Sequence, residues 1–221
     1  MSQRPHTMPS PALSPVSAPA RPAVPVLPEF MPGPAWVFFR LDQSRGSPYS
    51  RNEYFRKAGW RLVQATVFRF VRASVRVRLL NMFGARIDPT ANIRGTVKIH
   101  HPWLLRMGRF SSLGDGVHVY NLGPVVIGEH TSVSQNVHLC AGSHDWKNPA
   151  MPLLRSSIII GSGTWICADA FIGPEARVGH NCVVAARSVV VGEVADSSIV
   201  GGNPARLIKP RPMPDMPRDA G

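Results

Sequence analysis

Cysteine is scarce. Cys140, Cys167 and Cys182 are an odd number with no short paired spacing, so neither a disulfide framework nor a zinc knuckle is indicated, and a reducing, cytoplasmic setting is expected. Long apolar runs are missing too: none approaches the ~20 residues that span a bilayer, and the first residues lack a basic start leading into an apolar core. No transmembrane helix and no cleaved signal are therefore expected. Acidic residues are few, 13 against 25 Lys and Arg in 221 residues, which leaves a formal net charge of +12. That charge is unevenly placed. Residues 1–86 hold 13 Lys and Arg against 3 Asp and Glu, and the remaining 135 residues are almost neutral. Nucleic-acid binders spread their cations over the folded recognition surface, so this distribution argues against nucleic acid as a partner.

What is present changes along the chain. Prolines stand at positions 5, 9, 11, 15, 19, 22, 25, 28, 32 and 34, a density that blocks helix and sheet ladders alike. Residues 1–50 are expected to form a disordered or polyproline-like arm and lead-in. Residues 51–86 follow without a proline, and Trp60, Val63, Val67, Phe70 and Val71 recur near helical spacing between Arg61, Arg69, Arg72 and Arg76. One or two amphipathic helices are expected there. Nine basic residues from Arg51 to Arg86 face one acid, Glu53, so residues 51–83 suit an anionic membrane surface. The same apolar face could instead cover the open end of a repeat domain, and the two readings are compatible.

From Ile87 an aliphatic residue recurs every six positions. The unbroken run is Ile160, Ile166, Ile172, Val178, Val184 and Val190, and four residues after each stand Thr164, Ala170, Ala176, Cys182, Ser188 and Val194. Ile87, Ile93 and Ile99, then Met107, Leu113 and Val119, then Ile127, Val133 and Leu139 keep the same step. Periods of 3.6 or 2 would scatter other positions onto the core face. Six residues at ~3.3 Å each make one short strand and a corner, and three such units close a triangular coil. The expected fold is all-β, a left-handed parallel β-helix of about five coils over residues 87–211, with a disordered tail at 212–221. Interruptions fall near His100–Leu105, near Asn121–Val126 and, most widely, between Leu139 and Ile160. Ser143 to Ser157 is read as a loop thrown out from a corner, the place where function commonly sits in such repeats. The Gly-Gly and Pro of GGNPARLIKPRPMP are expected to end the helix after Val194.

The ordered set AGSHDW (141–146), IIIGSGTWICADAFIGPEARVGHNCVVAARSVVVGEV (158–194) and VGGNPARLIKPR (200–211) resembles the hexapeptide-repeat O-acetyltransferases. Within them it resembles the colanic acid type, which acetylates sugars in exopolysaccharide synthesis. IHHPWLL, YNLGPVVIG and the basic segment around GWRLVQATVFRF extend the likeness over residues 51–211. The resemblance implies a homotrimer with acetyl-CoA in the cleft between neighbours, a sugar acceptor, no metal, and a loop histidine as base, which matches His144. An imidazole can take the proton of a hydroxyl as its oxygen attacks the thioester. Asp145 beside it could orient the ring or cap the loop. Asn121 matches an asparagine that contacts the acceptor or base, though a turn role is equally open. Trp165 is expected to point outward, as a wall for pantetheine or acceptor or as trimer packing. Ala168 and Ala186 match small positions beside the pantetheine arm, and Arg206 and Lys209 match basic residues that face the nucleotide phosphates. Val191 and Gly192 stand where many relatives have Thr-Lys, a contact for which Arg187 could compensate.

Two other readings stay open. His118, His138 and His144 invite comparison with a metal-dependent carbonic anhydrase of the same fold, although His138 and His144 have five residues between them where that family has four. A non-catalytic, membrane-associated scaffold is the other.

Overall fold

The computed structural model describes residues 50–213. The proline-rich arm before Ser50 and most of the expected tail lie outside the described residues.

Two helices open the described chain, α1 (Arg51–Thr66) and α2 (Ala73–Met82). Ser50 starts α1 through a capping box: its hydroxyl accepts from the Glu53 amide at 3.2 Å, and the Glu53 carboxylate accepts from the Ser50 amide at 3.0 Å. Two otherwise unpaired amides are satisfied in this way. Trp60, wholly buried, packs edge-on against Phe68 and Phe83.

Three parallel sheets follow, visited in strict rotation. The first face is built from Arg86–Ile87, Leu105–Met107, Val125–Ile127, Ile158–Ile160, Arg177–Val178 and Glu193–Val194. The second face runs from Asn92–Ile93 to Ser198–Gly202, and the third from Lys98–Ile99 to Val189–Val190. Five complete coils and two strands of a sixth result, the β-helix that the six-residue period predicts. Ile93, Leu113, Val133, Ile166 and Val184 stack inward on the second face, each essentially without exposure. Burying such a side chain stabilises by roughly 1.5–3 kcal/mol. Thr164, Ala170, Ala176, Cys182 and Ser188, four residues after the repeat position, are buried as well.

A β-helix leaves one row of unpaired backbone groups at its first coil, and the helices cover it residue by residue. The Asn81 carboxamide takes both the amide and the carbonyl of Ile87. Arg76 donates to the Ile93 carbonyl at 2.7 Å. Trp60 donates its indole N–H to the Ile99 carbonyl, and Gln64 accepts from the Ile99 amide. Every face thus begins against a side chain of the helical cap.

Equivalent residues are 20 apart in the first two coils (Ile87, Met107, Ile127), 33 apart across the third (Ile127, Ile160), 18 across the fourth (Ile160, Val178) and 16 across the fifth (Val178, Val194). Steps from first to second face and from second to third are six throughout, as in Ile87, Ile93, Ile99 and in Ile160, Ile166, Ile172. All variation therefore falls at one edge of the prism, between the third and first faces. One expectation needs correcting here. Val194 is not a small corner residue following Val190; it is the inward residue of the next first-face strand, paired with Val178, and Val200 follows on Val184. A two-residue corner, Val191–Gly192, with Gly192 at φ +92°, shortens the step from Val190 to Val194 to four and hides it. The helix consequently continues past Val194 through one more second-face strand, Ser198–Gly202, and ends at Gly-Gly-Asn-Pro. Ala205–Pro210 then folds back antiparallel on Ser198–Gly202 through a cis Asn203–Pro204 bond.

Candidate active site

The widest interruption is a β-hairpin rather than an irregular loop. Gly142–His144 pairs antiparallel with Leu153–Arg155, and His144 faces Leu153. His144 is exposed, and its Nδ1 lies 2.7 Å from the Met151 carbonyl oxygen. A carbonyl only accepts, so this contact places the proton on Nδ1 and leaves the Nε2 lone pair open to solvent. Asp145 is occupied in the turn: its carboxylate accepts from the Lys147 amide and its amide donates to Pro152. That is the loop-capping role.

The hairpin base rests on the corner below it. Ala141 donates to the Tyr120 carbonyl, Ser156 donates to Ala141 and Ile158 donates to Pro124. Gly142 lies against Leu122 so closely that a methyl group there would come within 2.7 Å of its Cδ1. A methyl group on Gly123 would stand 2.0 Å from the Ser156 carbonyl oxygen, a contact no small adjustment relieves. In that same corner Asn121 is wholly buried, and it reaches the coil below. Its Oδ1 accepts from the His101 amide, its Nδ2 donates to the His101 carbonyl and its own carbonyl sits 2.9 Å from His101 Nδ1. Asn121 therefore presents no amide to solvent; it joins two coils beneath the hairpin. The helices meet the same edge: Arg155 Nη1 lies 3.4 Å from Glu53 Oε1 of α1, and the Arg56 guanidinium sits over the Trp103 ring. The hydrogen bond with Ser50 and the Arg155 charge hold the Glu53 carboxyl below its ordinary value.

The remaining candidates stand elsewhere on the prism. Trp165 is on the second face, 49% exposed, with its indole N–H donating to Ser134 Oγ. Ala168, partly exposed, and Ala186, exposed, occupy successive coils at the corner between second and third faces, where Arg187 donates to the Ala168 carbonyl. Arg187 shares that corner, whereas Val191 and Gly192 lie at the corner between third and first faces. Arg206 and Lys209 are exposed on the returning strand, and among the described residues no carboxylate pairs with either. Within one chain, then, the Trp165, Ala168, Ala186, Arg206 and Lys209 group belongs to a different part of the prism from His144.

The histidines of the metal reading divide in the same way. His118 and His138 stack in register on the third face at 4.6 Å, and His100 Nε2 lies 3.0 Å from His118 Nε2, at chain positions that precede the hairpin. Burial, together with the charges of neighbouring His118, His101, Lys57 and Arg61, pushes His100 down to about 4. Burial also lowers His118 and His138. Among the described residues no three His, Cys, Asp or Glu side chains group as metal ligands. Sequence reading left His101, Leu122 and Arg155 without a role. The signal for them is the equal eight-residue step at Ile99–Met107 and Val119–Ile127, which stacks both insertions under the third.

Solved hexapeptide-repeat acetyltransferases share this three-faced β-helix. The acetyltransferase VCA0836 of Vibrio cholerae, solved with acetyl-CoA, superposes with a TM-score of 0.68 at 21% identity, covering 76% of this chain and 94% of that one. Galactoside acetyltransferase in complex with coenzyme A gives 0.66 at 19% identity, over 77% and 88%. No family model matches the sequence. The Escherichia coli (strain K12) relative named as a colanic acid biosynthesis acetyltransferase, WcaF, is 39% identical over 155 residues, 69% of this chain and 85% of the relative. The chain belongs to that acetyltransferase family, and it is an acyltransferase.

Proposed function

We propose that this chain moves an acetyl group from acetyl-CoA to a hydroxyl of a sugar in exopolysaccharide or capsule biosynthesis, with His144 as general base. The carrying observation is the Nδ1 contact of His144 with the Met151 carbonyl on an exposed hairpin. With Nδ1 protonated, Nε2 accepts the hydroxyl proton as the sugar oxygen attacks the thioester carbonyl. The C–S bond then breaks, and the departing CoA thiolate takes that proton from the imidazolium, which restores the starting ring. The Met151 carbonyl orients the ring and stabilises the imidazolium while it carries charge.

Donor contacts are assigned to the second face and its corner. Ala168 and Ala186 leave room for the pantetheine arm, and Arg206 and Lys209, unopposed by acids, meet the nucleotide phosphates. Trp165 offers a flat wall there. The distance along the prism between these residues and His144 supports a homotrimer, in which one protomer's hairpin meets its neighbour's second face. Asn121, with its amide engaged by His101, acts by positioning the hairpin rather than by touching the acceptor. A cytoplasmic location belongs to the same reading; no helix among the described residues is long and apolar enough to cross a membrane. Contact of residues 51–83 with a membrane surface is part of it as well.

His144→Ala should lower kcat for acetyl transfer to a sugar panel by about 10²–10⁴-fold with little change in KM for acetyl-CoA. An unchanged kcat removes the assignment.

A further inference from the structure

α1 is apolar on two opposite sides, and only one of them is covered. Trp60 is its single fully buried residue and faces the first coil. On the other side, at helical spacing, lie Arg51, Tyr54, Phe55, Ala58, Leu62 and Ala65, with Tyr54 64%, Phe55 73% and Leu62 66% exposed. Phe70, between the helices, is 83% exposed. A helix on the surface of a lone soluble domain turns such residues inward, and an exposed apolar patch rimmed by polar groups marks a contact surface.

The rim identifies the occupant. Arg61, Arg69, Arg72, Arg78 and Arg86 are exposed in the same segment, residues 51–86, and none of them pairs with an acid among the described residues. The one acid of the segment, Glu53, is turned to Arg155 and the helix cap. Aromatic and aliphatic side chains set among unpaired arginines fit the boundary of an anionic bilayer, where the apolar groups enter the acyl region and the guanidinium groups meet phosphate. At 16 residues α1 lies on such a surface and does not cross it.

We infer that the helical cap docks on an anionic lipid surface and that the acceptor is a lipid-linked sugar presented there. The second half rests on the reading of His144 as the base. It follows from the join between cap and hairpin: Glu53, in the first turn of α1, is ion-paired with Arg155 at the hairpin base, and Arg56, one turn on, is seated on Trp103 of the same edge. A surface that holds α1 therefore runs beside the hairpin that carries His144. A sugar on a lipid diphosphate is confined to that surface and adds negative charge to it.

The test uses the full chain and vesicles of phosphatidylcholine alone or with phosphatidylglycerol at about one part in three. The chain is expected to sediment with the mixed vesicles only. Phe55→Ser with Leu62→Ser should weaken binding at least tenfold, and Arg61→Gln or Arg69→Gln roughly fivefold each. His144→Ala should bind as the unsubstituted chain does. Glucose, galactose and fucose are then offered as methyl glycosides and on a polyisoprenyl diphosphate in the mixed vesicles. The Phe55/Leu62 variant should raise KM at least tenfold for the lipid-linked form and leave kcat/KM for the methyl glycoside unchanged. Failure of the full chain to bind, binding unaffected by the variant, or a changed oligomer mass in the variant would each overturn the lipid assignment. Vesicle binding without acetyl transfer to any of these sugars would leave the docking intact and remove the sugar-acceptor reading instead.

Discussion

The Asn121 carboxamide spans two coils, with its oxygen on the His101 amide and its nitrogen on the His101 carbonyl. Both bonds are buried, and each His101 group left without a partner costs about 1–3 kcal/mol. Asn121→Ala should therefore lower the melting temperature by several degrees, at about 2–4 °C per kcal/mol for a chain of this size. It should reduce kcat through loss of hairpin order while leaving KM for the acceptor within about twofold. Thermal melts run beside acceptor kinetics separate this from a direct contact: raised acceptor KM at unchanged stability would put the amide in the substrate site. His144 sits at the opposite pole, exposed and held by its contact with the Met151 carbonyl, so its loss affects chemistry and leaves the fold intact.

The third face carries a ladder with a pH signature. His118 and His138 stack, His100 meets His118, and Tyr120 and Phe171 close on them edge-on. Lys98 and, from α1, Lys57 and Arg61 add positive charge around the rings. Burial and these charges disfavour protonation in the folded chain, whereas the unfolded chain takes up protons at the ordinary value of 6.5. The unfolded state thus binds more protons between 6.5 and about 4, and stability is retained above that window and lost as pH falls through it. Urea midpoints should decline over that range, and His100→Phe should flatten the decline; parallel curves for the two proteins would refute the coupling. The inward column of each face was legible in the sequence because stacking demands a branched aliphatic at a fixed step. The hairpin was legible only as a gap, since Gly142, Ser143 and His144 lack the alternation of a half-buried strand. The shortened last corner was not legible: Val194 fits the period at either position, and only pairing with Val178 decides between them. The capping side chains Arg76, Gln64 and Asn81 left no periodic trace, because they answer backbone groups at distant Ile93, Ile99 and Ile87.

At the scale of the whole molecule, one prism keeps the proposed base and the proposed donor residues apart. His144 stands at the corner between third and first faces, while Ala168, Ala186, Arg206 and Lys209 follow the second face and its far corner. On the proposed reading a monomer has half a site at each of two places, and a three-fold ring would join each hairpin to the next protomer's donor strip. Complementation between protomers follows. His144→Ala lacks the base, and Ala186→Trp, at an exposed corner position, fills the donor strip without disturbing the core. Each variant alone should be inactive in acetyl transfer. When the two are denatured together, refolded in equal amounts and isolated as trimers, about one site in four pairs an intact His144 with an intact neighbouring strip. Activity should return to roughly that fraction of the unsubstituted enzyme, with unchanged KM for acetyl-CoA at the restored sites. If the mixture stays inactive while the mixed trimers form, base and donor strip act within a single protomer. The three-fold site would then have to be abandoned, even with the β-helix and its family intact.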